Sequence, residues 1–389
     1  MNPIYFDHAA TTPVRPEVME AMLPFLTTAW GNPSSAHRFG RAAKAGLEQG
    51  KREVAEALGV EPNQVIFTSG GTEADNLALI GAALAARAHD QSMHVVTSAI
   101  EHKAALAAAH AVVNLGGQET ILRVDDECLV RFDDLDAALA RKPALVSIMW
   151  VNNEVGVVQP MAEIGARCQA AGVPLHSDAV QAFGKIPVDV HAAGCTLLSI
   201  SGHKIGAPKG IGALIVRDRK IIEAIIHGGG QQYGIRPGTE NVAGAVAMGR
   251  AALLATRELA RETPRLMALR DDLMHRLLAA VPDLVIHGTP EHRAPHILSV
   301  SVPGTESEAM LMHFDMAGIA CSGGSACSTG AVEPSHVLVA MGVERQIALG
   351  TIRFSLGHDT TEADITRVAD AFPDVVARVR QLGMALGRA

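Results

Sequence analysis

Short apolar runs alternate along the first two thirds of the chain with longer stretches whose apolar positions recur every three or four residues. The runs predict strands at Val65–Thr68, His94–Ser98, Leu145–Val151, Val173–Ser177, Leu197–Ser201 and Ala213–Val216. The periodic stretches between them predict helices, for example Glu73–Ala88 and Met161–Ala171. This alternation predicts an α/β fold, with a mainly parallel sheet covered by helices on both faces. Ligands of such sheets bind outside the carboxyl ends of the strands. After Thr239 an Ala-rich helical pattern reaches to about Glu262 and reads as a bridge to a second unit. That unit has strand signals at His296–Val302, Gly318–Cys321 and Thr351–Leu356, which predicts a smaller α+β domain with its boundary near residue 260.

A chain of 389 residues is long enough for two domains. With 48% hydrophobic and 19% charged residues it can build large cores and is not disordered in character. Aromatic residues are only 3%, so those cores must be aliphatic. A net charge of −8 gives no electrostatic reason to expect nucleic acid or an anionic membrane as partner. The N-terminus lacks a basic region followed by an apolar run, and no apolar stretch is long enough to span a bilayer. Five scattered cysteines argue against a disulfide scaffold and for a reducing compartment, so the cytoplasm is the expected location. No CxxC pair occurs, and no structural zinc is expected.

Candidate chemistry collects at the ends of the predicted strands. In TSGGTEADN, Gly70 and Gly71 precede a helix starting at about Thr72, where backbone N–H groups can cradle a phosphate; a capping box of Thr72 and Asp75 is the alternative. Lys204 follows a buried strand in SISGHKIGAPKG, a place for a Schiff-base amine; a solvated loop lysine is the alternative. Asp178 ends another strand, where a carboxylate can keep a pyridinium nitrogen protonated, or simply cap a helix. Asn152 and Asn153 lie beyond a third strand, able to bond a ligand or to make a turn. His102 lies beyond a fourth and can stack on a ring or move protons. In CSGGSACSTG a cysteine sits among Gly, Ser and Thr, the surroundings of an exposed thiol. Arg353 interrupts an apolar strand and needs an anionic partner, either a substrate carboxylate or a structural ion pair.

Together these motifs resemble the cysteine desulfurases of the NifS/IscS-like group, within the class V aminotransferase superfamily. The matching stretches run nearly end to end. They include YFDHAATTP, GNPSSAH, TSGGTEADN, EHKA, VNNEVGVVQP, HSDAVQAFGK, SGHKIGAPKGIGAL, GGGQQYGIRPGTENV, GSACSTG, EPSHVL and TIRFSLG. The resemblance implies the PLP-dependent transferase fold type I. It implies a seven-stranded-type sheet in a large domain, residues 15–260, and a small domain formed by residues 1–14 and 261–389. It also implies pyridoxal 5'-phosphate as cofactor and L-cysteine as substrate. Lys204 would be the Schiff-base lysine, Asp178 the partner of the pyridinium nitrogen, and Gln181 that of the ring hydroxyl. His102 would stack on the ring and shuttle protons as a catalytic residue beside Lys204 and Cys327. Gly71, Thr72, Ser201 and His203 would hold the phosphate, joined by Thr239 from the other subunit of a homodimer. Asn153, near the cofactor, and Arg353 would hold the substrate carboxylate, and Cys327 would accept the sulfur. The loop around Cys327 resembles those that deliver sulfur to an iron–sulfur scaffold protein. No intrinsic metal is implied, only transient ligation of a cluster by Cys327 on such a scaffold.

There are two departures from the group's pattern: Cys321, where a small residue without a thiol is usual, and the segment Gln231-Gln232-Tyr233, where more charge is common. Three rival readings remain. One is a selenocysteine lyase or another class V enzyme; one is a catalytically idle sulfur carrier or scaffold-binding protein. The third, a dinucleotide-binding protein, is opposed by Ser69–Thr72, which is not a GxGxxG pattern. Cys327 is expected to carry the persulfide rather than Cys321, because Gly323 and Gly324 free its backbone, while Cys321 ends an apolar run.

Overall fold

Alternate residues of the longest apolar runs point to opposite sides, and both sides are buried. In the computed structural model, which describes residues 3–323 and 333–385, these runs form one seven-stranded sheet. Its order is Val65–Thr68, Gly212–Val216, Leu197–Ser201, Leu175–Asp178, Leu145–Ser147, His94–Ser98 and Gln118–Leu122. Gly212–Val216 pairs antiparallel with both neighbours; the other pairings are parallel. Val96, Val146, Leu198 and Ile215 pack into one aliphatic core, and Val95, Leu145, Leu197 and Leu214 into another across the sheet. Helices Gly71–Ala88 and Lys103–Asn114 cover the second face, while Arg38–Leu58, Met161–Ala171 and the start of Val242–Ala280 cover the first. The expected α/β class, with a mainly parallel sheet, is the class observed.

Three details differ from the sequence reading. The run expected at Leu145–Val151 leaves the sheet after Ser147, and Val151 only bridges to Val158. The edge strand Gln118–Leu122 carried no signal, since of its residues only Leu122 is buried. The helix expected to end at about Glu262 continues unbroken from Val242 to Ala280, passing Pro264 on the way. Its first half packs in the sheet's core; Leu266, Leu269, Leu273 and Leu277 of its second half pack in a separate one.

That separate core joins Ile4 and Phe6 to apolar residues between 266 and 379. It contains the antiparallel strands Thr351–Ser355, Ile297–Ser301 and Val285–Ile286, and a short parallel pair, Ile4–Tyr5 with Ile319–Ala320. Among the described residues no helix is long and apolar enough to cross a membrane.

Candidate active site

The parallel strands end along one edge, and a cavity of about 470 Å³ lies there. Asp178 and Ser201 are the last residues of their strands, and Lys204 closes the single turn Gly202–Lys204 that follows. Gly71 and Thr72 open the helix after Val65–Thr68. His102 precedes the helix Lys103–Asn114, its Nδ1 accepting from the N–H of Ala104 at 3.2 Å. Arg353 enters from the smaller sheet. All of these, with Asn153, Gln181 and His203, line the cavity. Thr239 does not; it is exposed on the turn before the long helix. Cys327 lies outside the described residues.

The helix beginning at Gly71 has no side-chain cap, so the alternative capping box of Thr72 and Asp75 is not formed. Its first N–H groups are left for a ligand. Neighbouring chain approaches closely here: a Cβ on Gly71 would come within 2.9 Å of Val180 Cγ2, and one on Gly212 within 2.7 Å of the Gly70 backbone. Ser201 Oγ is buried at the same place and has no hydrogen-bond partner among the described residues. A buried hydroxyl without a partner costs free energy unless a ligand meets it. Bare helix N–H groups, a free hydroxyl and an accessible amine suit a phosphate-bearing carbonyl compound.

Lys204 Nζ donates to the carbonyl oxygens of Ala9 and Ala10, at 2.5 and 2.7 Å. Burial, with help from Arg353, pushes the amine down to about 8. Asp178 is raised by burial; the Val180 N–H, His102 and Lys204 oppose the rise. Asp178 Oδ1 accepts from Val180 N at 2.8 Å, so the capping reading of Asp178 also holds. Behind it Asp75 is raised further, by burial and by Asp178. Of the two, only Asp178 has Lys204 opposing the rise. Asp75 lies 3.8 Å from His176, which burial drives down to about 3 and which bridges Ser147 and Ser199 as a neutral ring.

The two asparagines divide their tasks. Asn152 makes the turn: its Oδ1 accepts from the N–H groups of Glu154 and Val155, and its Nδ2 donates to Ile100. Asn153 lends its carbonyl to Arg353 Nη1 at 2.7 Å, and its side chain lines the cavity. Arg353 has a structural ion pair as well, with Asp7 at 2.8 Å, yet its Nε remains unpartnered. Gln181 donates to the Ala9 carbonyl at 2.8 Å and faces His296 with its oxygen. His203 is held by Thr11 Oγ1 at 3.2 Å, and burial lowers it to about 4, so it is neutral.

Asp7, Glu154 and His336 line the same cavity and received no role from the sequence. Their only signal was membership of the stretches YFDHAATTP, VNNEVGVVQP and EPSHVL.

The sequence profile of the class-V aminotransferases matches residues 4–368. The chain belongs to that family. It is 42% identical over 379 residues to the cysteine desulfurase IscS of Dictyoglomus turgidum, covering 97% of this chain and 96% of that one. The solved structure of a NifS-like protein superposes with a TM-score of 0.89 at 34% identity, over 97% of this chain and 100% of that one. A structure described as SspA in complex with cysteine has a TM-score of 0.79 at 32% identity, over 90% and 98% of the two chains. Class-V members depend on pyridoxal phosphate, and the cavity's residues fit that group.

Proposed function

We propose that this chain is a cysteine desulfurase that takes the sulfur off L-cysteine, releases alanine and carries the sulfur as a persulfide on Cys327. The observation that supports it most directly is the meeting of Lys204, Asp178 and Arg353 on one cavity, in a chain similar over its length to desulfurases. Pyridoxal phosphate, when bound, supplies a carbonyl for amine attachment and a ring that withdraws electrons from the substrate's Cα.

The residues divide the remaining work. Lys204, with its depressed basicity, has a usable neutral fraction near pH 7 and serves first as the attachment point, then as the base at Cα. Asp178 keeps the ring nitrogen protonated. Gln181 would hold the ring hydroxyl, and His102 would stack on the ring and move protons. Gly71, Thr72, Ser201 and His203 hold the phosphate, with Thr239 of the partner subunit completing the set. Arg353 and Asn153 orient the substrate carboxylate. We read residues 15–260 as the cofactor domain and residues 1–14 with 261–389 as the smaller one; the separate cores support this division, except that Ala294, Val337, Leu338, Met341 and Ala348 pack with the larger core.

A homodimer is part of the reading. Helix Pro16–Thr27 exposes Met19, Leu23 and Leu26 along one side, and beyond it the exposed rings of Trp30 and Phe39 stack at 5.6 Å. An apolar surface of this kind marks an interface. The sulfur acceptor is an iron–sulfur scaffold protein or another sulfur-accepting partner, and the setting is cytoplasmic.

A pair of serine variants tests the assignment. Cys327→Ser should keep the cofactor's visible absorbance and lose alanine and sulfide production, whereas Cys321→Ser should retain most activity. Cys321 is half-buried, and burial and Asp7 push its thiol up, which disfavours the thiolate. A persulfide mapped by mass spectrometry to Cys321 alone would overturn the assignment.

A further inference from the structure

Phe354 packs its ring edge to face against Phe6 in the smaller core, with centroids 6.2 Å apart. Successive residues of extended chain point to opposite sides. Asp7 and Arg353, the chain neighbours of those two rings, therefore leave the core together, and both line the cavity. The main chain fixes Asp7 as well. It bridges to Ser355, and its carbonyl oxygen accepts from the N–H groups of Ala10 and Thr11, at 3.0 and 3.4 Å. The Asp7 carboxylate thus stands on a rigid mount.

A guanidinium carries five N–H donors. In Arg353 one on Nη2 goes to Asp7 Oδ1 at 2.8 Å, and one on Nη1 to the Asn153 carbonyl at 2.7 Å. Three remain, among them the buried Nε–H, which has no partner among the described residues. A buried donor of a charged group is costly until an acceptor meets it. Nε and its neighbouring Nη make a fork that matches a carboxylate. With the Asn153 carbonyl alone, the planar group would have one pivot and be free to swing about it; Asp7 holds the second arm. Four carboxyl groups line the cavity, and among the described residues Asp7 alone of them pairs with Arg353. Glu154 accepts from Ser335, Asp178 from the Val180 N–H, and Asp75 lies back beside His176.

Resting on the desulfurase reading, we propose that Asp7 is the positioning residue that makes this site select α-amino acids over simple amines. It acts through Arg353 and touches no reacting atom. Holding the guanidinium in one pose means that the orientation of the fork is settled before a ligand's carboxylate arrives, so none of the ligand's binding energy is spent on ordering it. A ligand with an α-carboxylate gains that contact in full. An amine that lacks the carboxylate gains nothing from the pose and loses nothing when it is disturbed. A latch that did no more than tie the N-terminal segment to the smaller sheet would affect both kinds of ligand alike.

Asp7→Ala tests this in the cofactor-loaded protein, with two ligands that need no desulfuration: L-alanine, and ethylamine, which is alanine less its carboxylate. Titrated against the cofactor's visible absorbance, L-alanine should bind the variant about tenfold more weakly, and ethylamine as it binds the wild type. KM for L-cysteine should rise in step with the loss for L-alanine. Asp7→Asn keeps an oxygen for Nη2 to donate to and should recover most of the L-alanine affinity. In an Arg353→Lys background Asp7→Ala should add little, because the two residues act as one unit. Should Asp7→Ala fail to fold, Asp7→Ser, which also lacks the carboxylate, takes its place. An equal loss for both ligands, no loss for either, or full additivity with Arg353→Lys overturns the proposal. A wild-type protein that released no alanine from L-cysteine, while Asp7→Ala still weakened L-alanine alone, would sink the desulfurase reading and leave the role of Asp7 standing.

Discussion

Arg353 donates from Nη2 to Asp7 Oδ1 at 2.8 Å, fastening the smaller sheet to the N-terminal segment at the edge of the cavity. The guanidinium is 5% exposed, held on its other arm by the Asn153 carbonyl, and keeps Nε free. It is thus aimed before any substrate arrives.

Arg353→Lys keeps a positive charge and loses the planar fork. Charge-assisted hydrogen bonds are worth roughly 1.5–3 kcal/mol, so KM for L-cysteine should rise about ten- to a hundredfold. The cofactor's absorbance should be unchanged. Steady-state kinetics checks this, and an unaltered KM would remove Arg353 from substrate binding.

Lys204 should give the cofactor its covalent hold, so Lys204→Ala should yield protein without a borohydride-reducible link. Its depressed basicity also sets a pH dependence. Only the neutral amine attaches a carbonyl, so the rate of cofactor incorporation into cofactor-free protein should rise with pH and level off above about 8. Arg353 lowers the lysine; Arg353→Gln should therefore move this midpoint to higher pH. Stopped-flow absorbance across pH 6–10 measures both, and a midpoint unmoved in Arg353→Gln would contradict the charge argument.

Ser201 Oγ has no partner among the described residues. Ser201→Ala should consequently leave the melting temperature of the cofactor-free protein nearly unchanged or slightly raised. Loss of one hydrogen bond to a charged group should weaken cofactor affinity by about tenfold or more. Equilibrium dialysis and thermal melts separate the two effects; destabilisation without loss of affinity would refute the phosphate role.

Glu101 is fully buried, and burial pushes it up to about 8 against hydrogen bonds from Ser98 Oγ and the Met149 N–H. Between the ordinary carboxylate range and pH 8 the folded state therefore binds a proton that the unfolded chain has released. The sign follows: Glu101 makes stability fall as pH rises through this window, and the fall ends above about 8. Glu101→Gln keeps the acceptor for Met149 and cannot ionise. Its melting temperature should drop less than that of the wild type between pH 5 and 8. Parallel curves for the two proteins would show that Glu101 is ionised in the fold.

The strands Val65–Thr68, His94–Ser98 and Leu197–Ser201 were readable to the residue, because a strand buried on both faces is an unbroken apolar run. Lys204, Asp178 and His102 were readable as candidates for the same reason: each follows such a run, and parallel strands end on one side, whereas Ser201 entered only through the family resemblance. The half-exposed edge strand Gln118–Leu122 was not readable, since it leaves no local change in pattern, whereas the end of the long helix at Ala280 was missed although Pro282 lies just beyond it. Tertiary structure alone decided who shares the cavity. Asp7 meets Arg353 across 346 positions of chain, and His336 meets Glu101 across 235. It alone decided the charges too. The lowered Lys204, the raised Glu101 and the neutral His176 owe their states chiefly to lost water. Desolvation is a property of the packed molecule and of no residue taken singly.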